Sequence, residues 1–217
     1  AWRERMRDLR KDSRLRYALV FKNHGAGAGA TLEHSHSQII ATPIIPRMVQ
    51  EELDGSRRYF ELKERPVFSD IIDQEMGEAQ GRRVVVRTAR YIALAPFAPR
   101  FPFETWVLPV ARRAAFHTID DPDEMLELAG ILKDTLGRLN AALDSPPYNL
   151  VLHTAPLQIG VRPAVQIDVN APTVLHGFFE RSRVFDIAGD DLEFGAEFGG
   201  GLLRCMGEHA HPISIFG

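Results

Sequence analysis

His34, His36 and Gln38 alternate in the run His-Ser-His-Ser-Gln, just after a loop of small residues from Asn23 to Thr31, NHGAGAGAT. Read as a strand, this run sends all three side chains to one face, with neighbours roughly 6.6–7 Å apart. Two imidazoles and a carboxamide in such a row suit chemistry at phosphorus. A neutral imidazole is a good nucleophile near pH 7 and a competent leaving group, so a covalent intermediate on histidine divides one hard displacement into two easier ones. The Gln38 amide can donate to oxygens on which charge builds, without acting as an acid. The Gly/Ala loop offers backbone N–H groups with little bulk around them, the kind of nest that holds phosphate oxygens. It is not a Walker loop, because no Gly-Lys-Ser/Thr follows, nor a dinucleotide fingerprint, because a strand rather than a helix comes next. The bland alternative for His34 to Gln38 is a half-buried polar strand, and the adjoining loop weighs against it.

Positioning these residues requires a scaffold. Trp2, Met6 and Leu9 fall at i, i+4 and i+7 among Arg3, Arg5, Arg7, Asp8, Arg10 and Lys11, which predicts a surface helix with a solvated basic side. Tyr17 to Lys22 reads as a short strand, and His34 to Pro46 as a central strand ending at its prolines. A mostly polar helix is expected from about Arg47, interrupted at Gly55, and residues 64–82 as a connecting segment. The pattern then restarts: VVVRTARYIALAPF predicts a hairpin and FPFETWVLP a further strand. Asp121-Pro122-Asp123-Glu124 predicts a helix start, with Asp121 as N-cap and Glu124 as capping-box partner. Met125, Ala129, Leu132, Leu136, Leu139 and Leu143 form its expected core stripe, and Tyr148 to His153 is another strand. These elements predict an α+β fold of two units, each an antiparallel sheet with flanking helices. The expected division is 1–63, a connector at 64–82, 83–157, and a tail from 158 to 217 that stays unassigned because its periodicity weakens and its glycines multiply.

The chain of 217 residues carries 26 basic and 29 acidic residues, a net charge of −3 that calls for neither nucleic acid nor an anionic membrane as partner. One cysteine, Cys205, allows no internal disulfide and no Cys-x-x-Cys clasp, so the cytoplasm is the expected compartment and a buried thiol the expected state. No apolar run is long enough to span a bilayer. The sequence opens on Ala-Trp-Arg-Glu-Arg, already inside a helical pattern, so the first unit is expected to be incomplete. His24, His117 and His176 read as surface or hydrogen-bonded core residues, and Arg100, Arg112 and Arg113 as solvated loop charges.

FKNHGAGAGATLEHSHSQIIATPIIP resembles the galactose-1-phosphate uridylyltransferase family of the histidine-triad superfamily, and PFETWVLP and YNLVLHTAP resemble that family's second half. The likeness runs from about residue 1 to 157. It implies two histidine-triad-like units and a ping-pong reaction that moves a nucleoside monophosphate, UMP by expectation, from a UDP-sugar to histidine and then to a hexose 1-phosphate. His36 would be the nucleophile and Gln38 would stabilise the transferred phosphoryl group. Asn23, Gly29, Thr31 and Ser37 would be nucleotide-binding residues. A homodimer is implied. The alternatives are a nucleotide-sugar phosphorylase or hydrolase of the same superfamily, or a non-catalytic nucleotide-binding remnant.

The resemblance also implies metals. His34 matches a position that ligates zinc in several relatives, whose partner ligands in a Cys-x-x-Cys segment are absent from this chain. A second family site is not expected, because its cysteines are replaced in Pro66-Val67-Phe68-Ser69 and its histidine by Arg90. In other relatives a glutamate matching Glu52 and a histidine matching His153 bind metal together with a His-x-His strand soon after HTAP. That strand is expected to be missing, and His209-Ala210-His211 stands far later, where a polar turn is the favoured reading over a metal site.

Overall fold

The computed structural model describes residues 1–158 apart from 33, 78–80 and 112–114, and the backbone of 174–179, 193–194 and 205–206. In chain order the elements are α1 (Trp2–Leu9), β1 (Tyr17–His24), a 3₁₀ turn (Ala26–Ala28), β2 (Gln38–Thr42), α2 (Arg47–Lys63), α3 (Val67–Met76), β3 (Val84–Arg87), β4 (Tyr91–Leu94), β5 (Thr105–Pro109), a second 3₁₀ turn (Phe116–Thr118), α4 (Pro122–Leu143), β6 (Tyr148–His153), β7 (Val174–Phe179), β8 (Glu193–Phe194) and β9 (Cys205–Met206).

The fold is α+β, with antiparallel strands and helices on both faces. The two expected sheets are joined into one seven-stranded sheet of order β2-β1-β6-β7-β5-β4-β3, with β8 and β9 forming a separate pair. The joining strand is β7, from the stretch left unassigned by sequence. It pairs antiparallel with β6 from Tyr148↔Phe179 to His153↔Val174, and with β5 from Thr105↔Gly177 to Val107↔Leu175. A strand does therefore follow HTAP, and it carries His176 at the register position opposite Val151. His209, His211, Arg112 and Arg113 lie outside the described residues.

Alternation along the strands explains how both faces are covered. Ala18 and Val20 of β1, Tyr91 and Ala93 of β4, Val107 of β5, and Leu150 and Leu152 of β6 meet Met6 of α1 and Leu128 and Ile131 of α4. On the other face Tyr17 packs with Val49 and Leu53 of α2. Ile92, Leu94 and Leu108 pack there with Ile72 of α3. All four residues of β4 are buried for this reason. Two covered faces make each strand's register costly to slip, since a one-residue shift would exchange the two sets of side chains.

Several local expectations change. Residues 34–37 precede the ladder instead of belonging to a central strand; β2 begins at Gln38 and lies at the end of the strand order. Helix α2 runs through Gly55 without interruption, since a mid-helix glycine costs only about 1 kcal/mol against alanine and the flanking turns outweigh it. The expected connector contains α3, which starts at Val67 behind Pro66 as its N-cap and buries Ile72. The buried stripe of α4 is Glu124, Leu128, Ile131 and Thr135, one position earlier than the leucine pattern suggests, with Met125, Leu132 and Leu136 flanking it. Asp121 does cap this helix, accepting from the Asp123 N–H at 2.9 Å. Glu124 turns inward, where its carboxylate accepts from the Tyr91 hydroxyl at 3.0 Å. Arg100 is no free loop charge: it pairs at 3.1 Å with Glu104, whose side chain is fully buried.

The basic side of α1 is likewise engaged. Arg3 donates to the Ile119 carbonyl at 2.8 Å, Arg7 to the His117 carbonyl at 2.8 Å, and Arg10 to the Leu157 carbonyl at 3.0 Å. These positions are i, i+4 and i+7, so the arginines form a stripe of their own that ties the first helix to residues more than a hundred positions away.

Packing and burial have two measurable consequences. Nothing lies within 4 Å of a β-carbon built on Gly55, so Gly55→Ala should raise unfolding free energy by about 0.5–1 kcal/mol in urea titrations. The second concerns His117, which is buried and whose Nδ1 has no hydrogen-bond partner among the described residues. Burial, followed by the charges of Arg10 and Arg7, pushes its pKa down to about 4 from 6.5. The unfolded chain therefore binds the extra proton first, and stability should fall as pH drops from 6.5 towards 4, by on the order of 2–3 kcal/mol. The difference between wild-type and His117→Gln unfolding free energies, measured across that window, should carry this slope; parallel curves would refute it.

Candidate functional site

The site is built around the end of β1. Antiparallel pairing sets Phe21 opposite Gln38 on one side and Asn23 opposite Asn149 on the other. Cross-strand partners share a face, so Gln38 lies on the α2 side of the sheet with Tyr17 and Phe21. The serines between the candidate residues point the other way. Ser37 accepts from the Trp2 indole at 2.7 Å, and Ser35 accepts from the Lys22 ammonium at 2.6 Å. Period two thus continues through residues 35–38 although the ladder has ended. His34 and His36 contact each other edge to face, with ring centroids 6.0 Å apart.

His36 Nδ1 lies 3.0 Å from the His34 carbonyl oxygen. A carbonyl only accepts, so in this contact Nδ1 carries the proton and donates, and in the neutral ring Nε2 keeps a free lone pair. That is the tautomer a nucleophile needs at Nε2. The His36 carbonyl in turn accepts from Lys22 at 3.2 Å. Partial burial lowers the Lys22 pKa from its ordinary value.

The small-residue loop is a tight turn. Gly25 and Gly29 have φ of 83° and 78°, open to glycine and strained for other residues. A β-carbon on Gly25 would also stand 3.0 Å from that of Pro147. Within the turn the N–H groups of Ala28, Gly29 and Ala30 donate to the carbonyls of Gly25 and Ala26. These three of the loop's expected phosphate donors therefore close the turn itself. Thr31 is exposed.

Asn149, which has no expected role of its own within YNLVLHTAP, holds this turn. Its amide donates to Asn23 Oδ1 at 2.8 Å and to the Ala28 carbonyl at 3.0 Å. Next to it the His24 ring stacks on Tyr148, centroids 4.9 Å apart. The loop of the first segment thus rests on β6 of the second. No sequence signal marks Asn149 beyond an amide placed early in an otherwise apolar strand.

Glu52 and His153 do come together, with His153 Nδ1 3.0 Å from the Glu52 carboxylate. The Tyr17 phenol close by has its pKa raised, chiefly by burial and then by the Glu52 charge. Among the described residues no three or more His, Cys, Asp or Glu side chains converge as a metal cage. Among the described residues these two donors, and exposed His34 apart from them, fall short of the three or four protein ligands that a zinc site takes. Arg90, expected from the resemblance to replace a metal-binding histidine, pairs with Asp121 at 2.7 Å and Glu127 at 3.7 Å. No helix among the described residues is long and apolar enough to cross a membrane.

Comparisons with known proteins agree on one relationship. Residues 1–46 match the family model described as galactose-1-phosphate uridyl transferase, N-terminal domain. An ADP-glucose phosphorylase from Arabidopsis thaliana is 36% identical over 160 residues, 73% of this chain and 43% of that protein. A galactose-1-phosphate uridylyltransferase from Thermotoga maritima is 30% identical over 156 residues, 71% of this chain and 48% of that protein. The crystal structure of an Arabidopsis thaliana ADP-glucose phosphorylase with bound ADP-glucose superposes with a TM-score of 0.71 at 30% identity, covering 83% of this chain and 55% of that one. In sequence and in fold the chain is related to the galactose-1-phosphate uridylyltransferase family, and it spans about half the length of the curated relatives it matches.

Proposed function

We propose that this chain carries the nucleotidyl-accepting part of a nucleotidyltransferase that uses nucleotide sugars, with His36 as the covalent acceptor. The observation that supports this most is the contact between His36 Nδ1 and the His34 carbonyl, since it fixes the tautomer with a lone pair on Nε2. Nε2 attacks the α-phosphorus of the nucleotide sugar. A phosphorus–nitrogen bond forms, the bond from that phosphorus to the bridging oxygen breaks, and the electron pair leaves with the hexose 1-phosphate. The oxygen of an acceptor phosphate then displaces the imidazole and carries the nucleotide away. Gln38, on the α2 face at the head of β2, is the donor proposed for the non-bridging oxygens. Asn23, Gly29, Thr31 and Ser37 are the proposed nucleotide contacts; for Ser37, whose oxygen already accepts from Trp2, only its hydroxyl proton is on offer.

The acceptor has two readings. A second hexose 1-phosphate, with UMP as the transferred group, makes the enzyme a uridylyltransferase. Inorganic phosphate makes it a phosphorylase acting on ADP-glucose, and the 36% identity to such an enzyme against 30% to a uridylyltransferase favours that reading. Glu52 and His153 are proposed to serve as a hydrogen-bonded pair that pins α2 to β6.

The test is covalent labelling. The chain incubated with UDP-glucose or ADP-glucose carrying ³²P at the α-phosphorus should take up acid-labile, base-stable label, and His36→Ala should take up none. Gln38→Ala should label about 10²–10³-fold more slowly. Release of label by phosphate as ADP, or by galactose 1-phosphate as UDP-galactose, separates the acceptors. A folded wild-type chain that labels with neither sugar nucleotide, or a His36→Ala variant that labels normally, overturns the proposal.

A further inference from the structure

The ladder between β1 and β2 ends at Phe21↔Gln38, so the proposed nucleophile stands two residues beyond the last paired position. Side chains, not strand pairing, hold the backbone there. Trp2 grips Ser37, and Lys22 grips both residues on the other side of it in sequence, Ser35 through its hydroxyl at 2.6 Å and His36 through its carbonyl at 3.2 Å. Lys22 lies on the sheet face of Ala18 and Val20, beyond the end of the core they form, and its ammonium is partly buried. Among the described residues it forms no ion pair with a carboxylate; its recorded partners are these two oxygens, both neutral. An ammonium drawn partly out of water and aimed at neutral oxygens contributes little as an ion pair. It does fix two consecutive residues from one rigidly placed strand.

We propose that Lys22 is a positioning residue for His36. By clamping the Ser35 hydroxyl and the His36 carbonyl from β1, it sets the bend of residues 34–36 so that the imidazole Nδ1 reaches the His34 carbonyl and Nε2 stays free. Lys22 acts through the backbone of the nucleophile and from the face opposite Gln38, so it touches neither phosphorus nor leaving group. The inference deepens the nucleotidyl-transfer reading and rests on it for its kinetic arm alone. Its structural arm, the tautomer of His36, is independent of activity. In the sequence a lone lysine in a strand looks like an exposed charge, and nothing in its type marks Lys22. The informative signal was its place immediately before Asn23, at the rim of the loop.

The experiment compares wild type, Lys22→Met and Lys22→Arg on the full chain, each with its thermal midpoint measured. Methionine keeps the aliphatic length without the donors, and arginine restores them. Imidazole ¹⁵N spectra, with His36 assigned through His36→Ala, should show one tautomer protonated at Nδ1 in wild type and in Lys22→Arg, and a mixture in Lys22→Met. In single-turnover labelling, Lys22→Met should lose about 10–100-fold in the limiting rate, the scale expected of a misplaced reacting group, while the half-saturating sugar nucleotide concentration moves less than about 3-fold. Lys22→Arg should recover to within about 5-fold of wild type. An unchanged His36 tautomer in folded Lys22→Met overturns the inference, and so does a loss confined to half-saturation. A wild type that does not label sinks the nucleotidyl-transfer reading instead, and the ¹⁵N comparison still decides the role of Lys22.

Discussion

The constraint on which the molecule depends is the register of β1. This strand is packed from both sides: Ala18 and Val20 join the core under α1 and α4, and Tyr17 packs against Val49 and Leu53 of α2. A shift by one residue would carry Lys22 to the opposite face, away from Ser35 and His36, and turn Asn23 from its partner on β6. Burying each large aliphatic or aromatic side chain contributes roughly 1.5–3 kcal/mol, so the register is held by several times the worth of any single polar contact at the site. The site inherits this precision. Asn23 meets Asn149, Gln38 falls opposite Phe21, and Lys22 reaches the bend before β2, all as consequences of where β1 sits.

The same register joins distant parts of the sequence. Asn149 reaches back 126 residues to Asn23, and Arg3, Arg7 and Arg10 bond carbonyls at 119, 117 and 157. Loop closure between such distant segments costs only slowly more with length, and apolar burial around the contacts offsets it. Polar contacts then select among the compact arrangements that burial allows. The tight turn at 25–30 illustrates the division of labour: its own N–H groups close it, its glycines permit it, and Asn149 fixes its place on β6.

Much of this was legible in the residues. Period-two and period-3.6 patterns located β1, the β3–β4 hairpin, β5, α4 and β6, because each pattern reports a face buried against a neighbour. The Asp121 cap was legible because a cap is local chemistry. What failed was non-local. Two sheets were expected because nothing in Val174 to Phe179 reveals that this strand pairs with β5 and β6 at once. The arginines of α1 looked solvated because their acceptors are backbone carbonyls, which carry no sequence signature. The leucine stripe of α4 was misplaced by one residue because Glu124 and Thr135 are buried there, and only a partner such as the Tyr91 hydroxyl makes a buried carboxylate tolerable. At the site, the alternation of His34, His36 and Gln38 was legible, whereas Lys22 and Asn149 were not, since their roles exist only through residues distant in sequence.

That His36 stands outside the ladder has a chemical logic. A strand-bound residue has its carbonyl and N–H committed to neighbours, and its ring direction is set by the pleat. Four positions beyond the last pair, the His34 carbonyl is open to accept from the His36 imidazole, which is what fixes the tautomer. The loss of ladder bonds would ordinarily leave such a bend mobile. Here Trp2 and Lys22 hold its back through serine hydroxyls, so the front is left to the two imidazoles. Serine at 35 and 37 is therefore as much a part of the histidine motif as the histidines are: its hydroxyls anchor the bend to Lys22 and Trp2, so the nucleophile is preorganised by groups that are not themselves the attacking atom.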